Sequence, residues 1–182
     1  MYADTGIGVL YGKKKLLERT LPFKYGGGMN DMYDLENYSL KPLPYKFDAG
    51  TVNISGILSL RAAIEYINDI GINNISKYIS DLSYFLYESL KDIKNIKIYN
   101  KNFNTGIMIF NIDKVFSQDL SVFLNKYNIC VRSGNHCSKL LKDLILVGNT
   151  CRISLNIYNT KEDILKLKEV LNKQEEIYNN II

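Results

Sequence analysis

The chain of 182 residues is 46% hydrophobic and 23% charged, with a net charge of +4. That balance belongs to a globular protein with apolar material for one domain, or one domain and part of another. The positive charge is dispersed, Lys13-Lys14-Lys15 reads as a solvated helical turn, and Trp is absent, so a nucleic-acid function is not expected.

No apolar run reaches membrane-spanning length, and the first residues lack the charged-then-apolar pattern of a targeting segment. Cys130, Cys137 and Cys151 show neither CxxC nor zinc-type spacing. They imply a reducing compartment, no metal site, and small buried apolar roles for Cys130 and Cys151.

In chain order, residues 6–12 form an apolar run bounded by glycines and read as a buried strand. Residues 13–19 read as one or two helical turns stopped before Pro22. Residues 24–46, with Gly26-Gly27-Gly28 and Pro42/Pro44, read as a long loop. Residues 55–69 place Ile57, Leu60, Ile64 and Ile67 at helical spacing, with Gly71 as the stop. Residues 74–91 give a second helix with a wide apolar face, including Leu82, Leu86 and Leu90. Strands follow over 96–99 and 106–112, a helix over 118–127, and strands over 129–132 and 151–155. The last helix opens at Asn159/Thr160, where Glu162 and Asp163 are spaced for a capping box, and runs to about Tyr178. The second half is therefore an α+β domain, with helices over one face of a small, mostly antiparallel sheet. The first fifty residues have no evident partners within that plan.

The most specific feature is Arg132-Ser-Gly-Asn-His-Cys137, which holds the chain's only histidine. It lies in a turn-like gap between an apolar run and a Lys-containing polar stretch, so Cys137 is expected to be accessible. Two neighbouring cationic candidates, Arg132 and His136, would favour its reactive thiolate. On the residues alone, an inert surface thiol fits Cys137 as well as a functional one. A structural ion pair fits Arg152 better than a binding role, and His136 could tune the thiol or shape the loop.

Several motifs in fixed order then carry a resemblance: Thr5-Gly-Ile-Gly-Val-Leu-Tyr11, Gly26-Gly-Gly-Met29, Phe47-Asp-Ala-Gly-Thr51 with Asn53, Arg132 to Cys137, and Cys151-Arg-Ile-Ser-Leu155 followed by Tyr158-Asn-Thr160. Across almost its whole length the chain resembles the C-terminal portion of group II (SUF-type) cysteine desulfurases, pyridoxal-phosphate enzymes of the class V aminotransferase family. The resemblance implies the small domain of a fold-type-I enzyme over residues 66–182. Residues 1–65 would be the tail of the large α/β domain and a connecting helix.

It also implies roles. Cys137 would be the nucleophile that takes sulfur from L-cysteine, leaving a persulfide and alanine, and passes it to an acceptor protein of the SUF system for iron–sulfur cluster assembly. Arg152 would pair with the substrate carboxylate in a bidentate fork, and Arg132 would orient substrate or the thiol. His136 would tune the thiol or shape its loop. Thr51, supported by Asn53, would reach the cofactor phosphate of the other subunit in a homodimer. The family's Schiff-base lysine would fall just before Met1, so the isolated chain is expected to be inactive. The expected setting is the cytoplasm or a plastid-type stroma.

The chain departs from the family pattern at Asn135, Val52, Ala3-Asp4 and residues 138–140, where histidine or proline is commoner. A non-catalytic remnant that dimerises or binds an acceptor, or a cofactor-free sulfur carrier, are the alternative expectations.

Overall fold

The computed structural model describes residues 2–178; Met1, and with it the expectation about the residue beside the lysine, lies outside the described residues. The chain divides into two compact units, the first ending at Ile70 and the second beginning at Gly71.

In the first unit, α1 (Lys14–Arg19) forms where the helical turns were expected. Its last carbonyls are satisfied by Thr20 Oγ1, which donates to Leu16 O at 2.8 Å, and by Lys46 Nζ, which donates to Glu18 O at 3.1 Å. A cation there also suits the negative end of the helix. The stretch expected to be one long loop contains a short antiparallel hairpin, β1 (Asn30–Tyr33) with β2 (Tyr38–Leu40). Asp34 closes it: its Oδ1 accepts the amides of Glu36 and Asn37, both at 2.8 Å.

Residues 6–12 do not form the expected buried strand. They are irregular, with Val9, Leu10 and Tyr11 at least three-quarters exposed. Apolar composition proposes a strand, but a strand needs a neighbour to pair with, and none of the described residues provides one. The helix α2 (Ile54–Ile70) buries Gly56, Ala63 and Ile67, while Ile57 and Ile64 stay about half exposed.

The second unit is α+β. It contains α3 (Ile72–Leu90), β3 (Ile96–Ile98), β4 (Ile107–Ile112), α4 (Ser117–Asn125), β5 (Arg132–Gly134), α5 (Leu141–Ile145), β6 (Thr150–Ser154) and α6 (Lys161–Leu171). The sheet has the order β3-β4-β6-β5 with every pairing antiparallel. Period-2 alternation gives the sheet one apolar face: Met108, Phe110 and Ile112 of β4, and Cys151 and Ile153 of β6. These join Leu82, Leu86 and Leu90 of α3, Leu120, Phe123 and Leu124 of α4, and Ile164, Leu167, Val170 and Leu171 of α6 in one core. The helical residues recur at i, i+3 and i+4, the spacing that stacks side chains on one helix face.

α6 starts at the foreseen capping box: Thr160 N donates to Asp163 Oδ2 at 3.0 Å, and Asp163 N to Thr160 Oγ1 at 3.4 Å. It stops at Leu171, short of the expected Tyr178, and a 3-10 turn over Gln174–Glu176 follows. There Gln174 Nε2 donates to Lys94 O at 2.8 Å, anchoring the chain beside the segment that leads into β3. The strand expected over 129–132 begins only at Arg132. The amide of Ile129 closes the end of α4 by donating to Leu124 O at 3.1 Å, and Ile129 and Val131 pack on the core instead of joining the ladder. No helix among the described residues is long and apolar enough to cross a membrane.

Candidate functional site

The pleat that buries Cys151 and Ile153 turns Thr150 and Arg152 to the opposite face of the sheet. The β5–β6 register places Arg132 directly across from Arg152, and Gly134 across from Thr150. Directly opposed residues project on the same side. Two arginines therefore stand side by side on the face turned away from the helices. Ser133, on the core side, is tied to α4 through Ser121 Oγ, which donates to its Oγ at 3.2 Å.

Beyond Gly134 the chain reverses sharply. Ser138 N donates to Asn135 O at 2.8 Å, and the two residues between them, His136 and Cys137, have φ of 52° and 62°. Two consecutive left-handed residues closed by an i to i+3 bond are the pattern of a type I′ turn, which Asn and Gly normally fill. Holding two non-glycine residues there costs roughly 1–2 kcal/mol each. The turn leaves Cys137 exposed, and Arg132 Nη2 donates to its Sγ at 2.8 Å.

His136 points the other way. Its Nε2 lies 2.8 Å from Oγ1 of Thr150, a residue only 3% exposed, while Nδ1 is shielded and has no partner. Burial, reinforced by Arg152 and then Arg132, holds the imidazole below the usual 6.5, against an opposing hydrogen bond to the Thr150 backbone. The Thr150 hydroxyl both donates and accepts, so it satisfies Nε2 in either neutral tautomer, while Nδ1 is left without a partner. Arg152 Nε is also buried without a partner, and among the described residues no carboxylate pairs with either arginine. A guanidinium left in that state is suited to an incoming carboxylate. Of the two cysteines expected to be buried, only Cys151 is; Cys130 is exposed. Cys151 lies on the far side of the sheet with no exposure; its thiol donates to Ser117 O at 3.2 Å, and burial pushes its pKa up to about 12.

Arg132, His136, Cys137 and Arg152 thus come together in the second unit. Thr51 belongs to the first. It is exposed and follows Gly50, whose φ is 88° and above which an added Cβ would meet nothing within 4 Å. The amide of Gly50 donates to Gly27 O at 2.8 Å, and Gly26 approaches the Ala49–Gly50 backbone so closely that a Cβ would sit 3.2 Å from it. The Gly26-Gly27-Gly28 and Ala49-Gly50-Thr51 motifs are therefore two sides of one local structure. Asn53 fixes its exit: Oδ1 accepts Gly56 N at 3.0 Å as the N-cap of α2, and Nδ2 donates to Gly6 O at 3.3 Å. Two features were not foreseen. One is Thr150 as the partner of His136; the other is the left-handed turn, for which a His-Cys pair gives no signal. Among the described residues no cluster of His, Cys, Asp and Glu is built to hold a metal.

Comparison with known proteins agrees with this architecture. The family model described as aminotransferase class V matches residues 1–167. The cysteine desulfurase of Wigglesworthia glossinidia brevipalpis is 42% identical over 165 residues, covering 90% of this chain and 40% of that protein. The probable cysteine desulfurase of Halalkalibacterium halodurans is 38% identical over 181 residues, covering 100% of this chain and 45% of that protein. Among solved structures, the cysteine desulfurase CsdA of Escherichia coli superposes with a TM-score of 0.91 at 31% identity, over 97% of this chain and 44% of that one. The apo cysteine desulfurase of Thermococcus onnurineus NA1 gives 0.90 at 31% identity, over 94% and 44%. The chain spans less than half the length of these relatives. With the family matched over most of its residues and the fold shared, the chain belongs to the class V aminotransferases.

Proposed function

We propose that this chain is the sulfur-accepting portion of a pyridoxal-phosphate-dependent cysteine desulfurase of the group II, SUF type. The observation that carries the reading is the exposed thiol of Cys137 held 2.8 Å from Arg132, beside an Arg152 whose buried Nε has no partner.

The residues of this chain fit one part of the cofactor, its phosphate. The open turn at Gly50 and the exposed Thr51 hydroxyl at the approach to α2 suit a phosphate oxygen. In this reading Thr51 serves the phosphate of the second subunit of a homodimer. When bound, the cofactor acts as an electron sink for the substrate.

The remaining work falls on residues of the second unit. Arg152 takes the carboxylate of L-cysteine with its guanidinium, which no internal carboxylate engages among the described residues. Cys137 attacks the substrate sulfur: an S–S bond forms as the substrate's C–S bond breaks, and the released electron pair takes up a proton to give alanine. The persulfide left on Cys137 sits at the tip of a turn, where an acceptor protein of the iron–sulfur assembly system can reach it. Arg132 holds the sulfur in place before the attack.

The test uses the native gene product, loaded with pyridoxal phosphate and given L-cysteine. Mass spectrometry of alkylated peptides should find one added sulfur atom on the Cys137 peptide together with stoichiometric alanine. Cys137→Ser should lose both. Sulfur on Cys130 instead, or alanine formation that survives Cys137→Ser, would overturn the assignment.

A further inference from the structure

We propose that Thr150 and His136 form a positioning latch that presents the sulfur of Cys137. The inference deepens the proposed function and rests on Cys137 being the sulfur acceptor.

Three bonds restrain the turn. One is internal, from Ser138 N to Asn135 O. The second, Arg132 Nη2 to Cys137 Sγ, joins two exposed side chains. The third, His136 to Thr150, reaches a residue that is 3% exposed and built into the sheet beside Arg152. A turn with two left-handed non-glycine residues persists only where its surroundings hold it. The bond with the rigid end is the one to Thr150.

The same geometry limits what His136 can do. Nε2 is engaged by Thr150 and Nδ1 is shielded, so neither nitrogen is free to exchange a proton with the sulfur. Burial and the nearby charges of Arg152 and Arg132 all disfavour a charged imidazole there. The histidine thus serves as an uncharged spacer. It fixes the distance between the turn and β6, and so keeps Cys137 within reach of Arg132.

Thr150→Val keeps the shape and removes the hydroxyl; Thr150→Ser keeps the hydroxyl. The full native protein would be treated with limiting iodoacetamide at pH 7, and the alkylation rates of Cys137 and Cys130 followed by mass spectrometry. This readout needs no turnover, so it stands whether or not the desulfurase assignment holds. Loss of one hydrogen bond should slow Cys137 alkylation roughly threefold to tenfold in Thr150→Val. Thr150→Ser should stay within about twofold of the parent protein, since its hydroxyl can make the same bond. Cys130 should be unchanged in both. In the complete enzyme, Thr150→Val should lower kcat by a similar factor at unchanged KM for cysteine. An unchanged Cys137 rate in Thr150→Val would overturn the latch. Equal slowing in both variants, or a parallel change at Cys130, would also overturn it, because either would mean general loosening of the strand.

Discussion

The reciprocal cap of α6 allows a stability prediction with an internal asymmetry. Thr160→Ala removes the acceptor of a long bond, Asp163 N to Thr160 Oγ1 at 3.4 Å, and the hydroxyl that supports the exposed Glu162 carboxylate. Asp163→Ala removes more. Its carboxylate accepts Thr160 N at 3.0 Å and Asn159 Nδ2 at 3.4 Å, and it places a negative charge in the first helical turn. An N-cap truncation costs about 1 kcal/mol, and an exposed charge at a helix start adds about 0.3–1 kcal/mol. Thr160→Ala should therefore cost about 0.5–1 kcal/mol and Asp163→Ala about 1–2 kcal/mol. The double variant should fall short of the sum by about 0.5 kcal/mol, because the two halves of the box support each other. Urea unfolding followed by circular dichroism resolves these values, since 1 kcal/mol moves the midpoint by roughly 0.5 M. A larger loss for Thr160→Ala than for Asp163→Ala, or strict additivity, would refute the reasoning.

Two further predictions concern the thiols and the histidine. Iodoacetamide on the folded protein at pH 8 should label Cys130 and Cys137 and spare Cys151, which is fully buried and whose thiol is pushed up to about 12. Labelling of Cys151 at the rate of the other two would mean that the β4–β6 core opens. His136 binds a proton less readily folded than unfolded, so its contribution to stability is complete above 6.5 and is lost as the pH falls through the lowered folded value. The urea midpoint should drop between pH 7 and pH 5, and His136→Asn should flatten that part of the profile. An equal drop in the variant would exclude the histidine as the source.

Features set by neighbouring residues were readable from the sequence. The capping box needs only Thr160 and Asp163 at fixed spacing, and the core faces of α3 and β4 follow from their periodicities. The exposed thiol of Cys137 and its arginine neighbour were legible because Arg132 to Cys137 is a compact string whose geometry depends on proximity. Features set by distant partners were not readable. Thr150 becomes the partner of His136 only because β6 returns beside β5, and nothing near residue 150 announces it. Residues 6–12 have a strand's composition, yet composition does not supply a neighbour. Ile129 and Val131 alternate as a strand would, but the left-handed Asn128 at the end of α4, with φ of 59°, sends them into the core.

The facing arginines have a thermodynamic consequence. Like charges directly opposed on an antiparallel pair destabilise it, typically by some tenths of a kcal/mol. The Arg132–Arg152 pair, with no carboxylate between them among the described residues, keeps the edge of the sheet under electrostatic tension. A bound carboxylate relieves that tension as well as adding its own bonds. Occupancy and folding are then coupled: the protein should melt at a higher temperature with a small amino acid bound than without one, and high salt should shrink the difference. Under the proposed assignment, the edge where the like charges meet is the place where a bound carboxylate adds stability.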